Sequence, residues 1–119
     1  MIASILIVDD EPAIRELCAA ILTQCGYRCE MAGSGAEGLE RFASAQGEFD
    51  LILSDVVMPD ISGPEMVRRM EIIRPDIRSV YMSGFPDASF PPSKKRSPVI
   101  KKPFTTDQLT TTIRQTLVR

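Results

Sequence analysis

Residues 4–9 read Ser-Ile-Leu-Ile-Val-Asp, an apolar run without polar alternation that is closed by an acid. Nothing else in the chain restricts its fold as much. A strand with one wet face alternates apolar and polar side chains, whereas a strand apolar on both faces is buried on both. Such a strand belongs in a parallel sheet with helices on either side. Phe49–Ser54, closed by Asp55, repeats the pattern. Ser79–Ser83 reads as a fourth strand, Val99–Lys101 as a short fifth, and Tyr27–Ala32 as a weaker second.

Helical spacing fills the gaps between these runs. Residues 12–24 place Ile14, Leu17, Cys18, Ile21 and Leu22 at helical intervals. Pro12 falls in the first turn, where its missing N–H costs nothing, and Gly26 ends the helix. Ser34-Gly-Ala-Glu37, Ser62-Gly-Pro-Glu65 and Thr105-Thr-Asp-Gln108 are capping boxes. They predict a helix to about Ala45 with Leu39 and Phe42 inward, and one to about Ile73 with Met66, Val67, Met70 and Ile73 on one face. The last helix carries Leu109, Ile113 and Leu117. Alternating strands and helices predict an α/β fold around one parallel sheet. The length of 119 residues, 44% of them apolar, suits a single domain over residues 1–119.

The alternation breaks once. A crossover helix is due between Gly84 and Pro98, but five of the nine prolines lie between residues 86 and 103. An interior proline costs a helix about 3 kcal/mol or more. The fourth helix is therefore expected to be lost or reduced to an irregular loop. Its Lys94-Lys-Arg96 run reads first as a solvated face.

In open parallel sheets, ligands bind beyond the carboxyl ends of the strands. Those ends carry Asp9-Asp10-Glu11, Asp55, Ser83-Gly84 and Lys101-Lys102. Taken singly, each has a plainer role: Asp9 or Asp10 as a helix cap, Asp55 as a loop acid, Ser83 in a turn, Lys102 in solvent. Their joint placement suggests chemistry, provided the first strand lies inside the sheet. Three carboxylates in one cleft repel each other and call for a cation. Hard oxygen ligands suit Mg2+. A carboxylate beside Mg2+, a lysine and a hydroxyl has the parts for phosphoryl transfer.

Composition sharpens this reading. The chain has no His, which excludes Ser-His-Asp and Cys-His nucleophiles, imidazole metal ligands and a phosphohistidine of its own. Residues 1–60 hold 11 acidic and 3 basic side chains, a net of −8, and residues 61–119 hold 5 and 11, a net of +6. The acids of the cleft come from the first half and its lysines from the second. Cys18, Cys25 and Cys29 match no metal spacing and read as reduced thiols. Neither a signal peptide nor a membrane-length apolar run is present, so a cytoplasmic location is expected.

From Ile5 to Leu117 the chain resembles the receiver domain of two-component response regulators. Ile5-Leu-Ile-Val-Asp-Asp-Glu11 is similar to that family's first strand and acidic pair. Leu51-Ile-Leu-Ser-Asp-Val-Val-Met-Pro-Asp-Ile-Ser-Gly63 is similar to its phosphoacceptor strand and loop. Tyr81-Met-Ser-Gly84 and Lys102-Pro-Phe104 match its fourth and fifth strands. The resemblance implies a flavodoxin-like (βα)5 sheet of order 2-1-3-4-5. It implies Asp55 as phosphoacceptor and Mg2+ held by Asp10 directly, by Asp9 through water, by Asp55, and by the backbone carbonyl of Val57. Lys102, preceding a typically cis peptide, would pair with phosphoryl oxygens, and Ser83 would hydrogen-bond them and draw the following loop inward. The surface around residues 83–104 would then switch.

The implied partner is a histidine kinase or a histidine phosphotransfer protein, as a stand-alone regulator or as part of a hybrid kinase. The output partner is not named by the sequence, and nucleic acid is not expected. The domain would be a phosphoacceptor, not an enzyme with a separate substrate. Two departures stand out. Val99 occupies the place of the family's switch aromatic, and the helix after strand four is expected to give way to the Gly84–Pro98 link, mobile until phosphorylation or a partner orders it. Apolar Val57 and Phe85 flank the site and offer little to hold an attacking water, so slow self-hydrolysis is expected.

Two alternatives share parts of this pattern. A haloacid-dehalogenase-like phosphatase would place its nucleophile first, with a second Asp two residues on, where Val57 stands here. A flavodoxin-like FMN module would want a hydroxyl-rich phosphate loop where Asp9-Asp-Glu11 repels phosphate.

Overall fold

The computed structural model describes residues 2–84 and 97–118. The chain runs β1 (Ser4–Val8), α1 (Pro12–Gln24), β2 (Arg28–Ala32), α2 (Gly35–Ser44), β3 (Leu51–Asp55), α3 (Gly63–Ile73), β4 (Arg78–Ser83), β5 (Val99–Lys101) and α4 (Thr106–Leu117). The five strands form one parallel sheet in the order β2-β1-β3-β4-β5. This is the α/β architecture that the apolar runs predict and the order that the family resemblance implied. The fourth-helix expectation falls on residues of which only Gly84, Ser97 and Pro98 are described; the rest, with Phe85 and Lys94–Arg96, lies outside the described residues.

The lack of alternation in β1 is explained by two cores. Leu6 and Val8 pack with Phe42, Ile52, Met66 and Met70 beneath α2 and α3. Ile5 and Ile7 pack with Leu22, Leu51, Leu53 and Ile113 beneath α1 and α4. These four of the five β1 side chains are fully buried. Each such side chain stabilises the fold by about 1.5–3 kcal/mol.

Two expected core residues are not in the core. Leu17 is 49% exposed and Ile73 47% exposed. Leu17 lies about a third of a turn round α1 from the buried Cys18 and Leu22 stripe, outside the sector facing the sheet. Ile73 is the final residue of α3 and rests beside Gly47 at the rim. Of the three capping boxes, the one at Thr105 and Gln108 is reciprocal. Ser34 and Ser62 cap their helices, but Glu37 turns to Arg41, and Glu65 to Arg68 and Arg69. No helix among the described residues is long and apolar enough to cross a membrane.

Candidate functional site

Sheet register assembles the site. Val8 of β1 is paired with Ser54 of β3, so Asp9 and Asp55 leave adjacent strands side by side. Asp55 aligns with Met82 of β4, and Ser83 with Lys101 of β5, which brings Lys102 to the same edge. There Lys102 Nζ donates to Asp9 Oδ2 at 3.1 Å and lies 3.3 Å from Asp55 Oδ2. Residues 93 positions apart in sequence thus form one ion-pair cluster. The Lys102–Pro103 peptide is cis.

Asp9 is fully buried, and neither it nor Asp10 caps α1. The N-cap is Glu11, without a side-chain cap bond, while Asp9 Oδ1 accepts the Glu11 amide at 2.9 Å. Asp10 is exposed, and one carboxylate oxygen from each of Asp9, Asp10 and Asp55 lies within 4.8 Å of the others. Among the described residues, the Lys102 ammonium pairs with two of these three acids, Asp9 and Asp55. The charge excess and the all-oxygen donor set fit a hard divalent cation such as Mg2+.

The environment tunes both partners. Burial raises the Asp55 carboxyl above its usual range, opposed by the charge of Lys102 and reinforced by that of Asp9; the Val57 amide also donates to this carboxylate. Burial works against the Lys102 ammonium, but its hydrogen bond to Asp9 and the charge of Asp55 outweigh it and hold the group above its usual range. Asp55 is thus partly desolvated yet faces a fixed cation.

Close approach of backbones secures the loop after β3. A Cβ on Gly63 would lie 2.2 Å from the Asp55 carbonyl oxygen and 2.8 Å from Ser54 Oγ. Gly63 N donates to the Val56 carbonyl at 2.9 Å, and Val56 N to Met82 O at 3.0 Å. Two further residues act here that the sequence did not single out. Arg15 Nη1 donates to the Asp9 carbonyl at 2.8 Å. Asp60 binds the start of α2 through the amides of Gly35 and Ala36. Both look ordinary in sequence, since what distinguishes them is a contact with a distant element.

Comparison with known proteins agrees with this geometry. The response regulator receiver domain model matches residues 5–114. The chain belongs to the response regulator receiver domain family. It is 36% identical to the sensor kinase CckA of Brucella abortus over 97% of its own length, but spans only 12% of that protein. It is 32% identical to the receiver protein CpdR of the same organism, covering 96% of each chain. Among solved structures, a response regulator from Thermotoga maritima in complex with Mg2+ and BeF is 31% identical, with a TM-score of 0.84, covering 96% of this chain and 98% of that one.

Family membership sets aside the dehalogenase-like and FMN-binding alternatives. It also frames the departures in this receiver domain. Ser83 is buried at the end of β4, and its carbonyl accepts the Lys102 amide at 2.8 Å. Val99 is 40% exposed on β5 and aligns with Tyr81 of β4, which is buried in the core on the α2 and α3 side of the sheet. Burial pushes the Tyr81 hydroxyl up to about 12. The aromatic at this height of the sheet therefore sits one strand further in, inside the core.

Proposed function

We propose that Asp55 accepts a phosphoryl group from the phosphohistidine of a partner kinase or phosphotransfer protein. The observation that carries this is Lys102 bridging Asp9 and Asp55 beside exposed Asp10. In the transfer, an Asp55 carboxylate oxygen attacks phosphorus, a P–O bond forms as the partner's P–N bond breaks, and imidazole leaves. Asp55, Asp10 and the Val57 carbonyl would hold Mg2+, with Asp9 at one remove through water. Bound there, the cation would neutralise charge developing on the phosphoryl oxygens. Lys102 supplies the second positive group, and Ser83 a hydroxyl that engages the phosphorylated state.

The unit responsible is the single domain of residues 1–119, acting in the cytoplasm. It serves as a phosphoacceptor that turns over no separate substrate. Phosphorylation then moves the surface around residues 83–104. Val57 and Phe85 supply no side-chain group to orient water, so the acyl phosphate decays slowly.

A small phosphodonor such as acetyl phosphate tests the assignment. With Mg2+, the wild-type chain should gain one hydroxylamine-sensitive phosphoryl group by mass spectrometry, and Asp55→Asn none. A label that persists in Asp55→Asn overturns it.

A further inference from the structure

The loop of residues 56–62 leaves Asp55 directly and carries the Val57 carbonyl, so its placement decides where both groups sit. Backbone hydrogen bonds hold its two ends, at Val56 and Gly63. The middle is held from another element. Asp60 Oδ1 accepts the Gly35 amide at 3.1 Å and Oδ2 accepts the Ala36 amide at 2.8 Å. These are the first two amides of α2, which the helix itself leaves without partners. The positive end of the helix favours a carboxylate at this place. Ser34 Oγ takes the amide of Glu37, so the two caps divide the first turn between them.

The neighbouring residue closes the joint. A Cβ on Gly35 would lie 2.3 Å from Ile61 Cγ1 and 3.4 Å from Asp60 Oδ1. Only glycine lets the loop approach α2 this closely. Asp60 is itself exposed, and its carboxyl is held below the usual range, first by the Ala36 amide. Charge at an exposed site needs no structural partner, yet both oxygens here are committed to one helix end.

We infer that Asp60 is a positioning residue for the phosphorylation site: it clamps the loop after β3 to the N-terminus of α2 and so fixes the Val57 carbonyl relative to Asp10 and Asp55. The inference rests on the proposed Mg2+-dependent receiver chemistry. Asp60 itself touches neither cation nor phosphoryl group. Asn at this position would keep one acceptor, whereas Ala would keep none.

Two measurements on the full chain test it. The first is amide hydrogen exchange at residues 57–63 in metal-free protein; the second is Mg2+ affinity by titration calorimetry. Asp60→Ala should speed exchange in the loop and weaken Mg2+ binding about tenfold, the low end for groups that support metal ligands. Asp60→Asn should recover part of both. Ser34→Ala weakens the same helix end without touching the loop, and should alter neither. Equal losses in Ser34→Ala and Asp60→Ala, or unchanged loop exchange in Asp60→Ala, overturn the inference. If loop exchange responds as expected but the wild-type chain takes up no Mg2+, the clamp stands and the cation assignment falls.

Discussion

Lys102 satisfies two carboxylates at once, and one of them, Asp9, has no contact with solvent. Removing one partner of a buried pair leaves the other charge uncompensated, at about 3 kcal/mol. Lys102→Met should therefore lower stability by about that amount in metal-free urea denaturation. Adding Asp9→Asn should return part of the loss, because the stranded charge disappears. Strict additivity of the two substitutions would show that the pair is not coupled. The residue scale also shows how far side-chain identity could be read. Asp9, Asp55 and Lys102 are evident from their positions after apolar runs, whereas Arg15 and Asp60 are not. Cys18 is similar: in sequence it is one thiol of three, but in the fold it is buried with Sγ 3.7 Å from Met82 Sδ. Burial pushes that thiol up to about 12, while Cys25 is exposed.

Elements were legible where local chemistry marks both ends. Pro12 and Gly26 bracket α1, and Ser34, Ser62 and Thr105 cap α2, α3 and α4. The depth of each helix was less legible, because Leu17 and Ile73 are apolar but lie beyond the sheet's footprint. Gly63 shows why an element's start can matter more than its length. Its α-carbon meets the Asp55 carbonyl with no room for a methyl group. Gly63→Ala should cost about 1–3 kcal/mol by overpacking. It should also slow phosphoryl labelling of Asp55, since either α3 or the strand end must move. Urea denaturation and a labelling time course check the two effects; unchanged stability would mean that the loop absorbs the methyl group freely.

Across the whole molecule, charge is arranged by topology. The acids that follow β1 and β3 face the lysine that follows β5, and a third carboxylate, that of Asp10, gathers beside them. A cation that binds only the folded cleft should stabilise the domain. At tenfold excess over its dissociation constant the gain is about 1.4 kcal/mol. For a domain near this size that corresponds to a rise of about 5 °C in Tm. Calorimetric scans with Mg2+ should show it, NaCl of equal ionic strength should not, and Asp10→Asn should blunt it. An equal rise in NaCl would reduce the effect to general screening.

Sequence alone pointed to a parallel sheet covered on both faces, since its strand runs are apolar without alternation and helices are interleaved between them. It also marked the edge where chemistry gathers, and the resemblance to receiver domains told which chemistry. Tertiary structure decided what depends on pairing between distant segments. The match of Val8 with Ser54 sets Asp9 beside Asp55, and that of Ser83 with Lys101 delivers Lys102 between them. The clamp of Asp60 on α2 and the fit of Gly63 under Asp55 arise in the same way. Local sequence encodes periodicity and caps, which act over a few residues. Register and close approach are properties of two segments at once, and neither segment records them by itself.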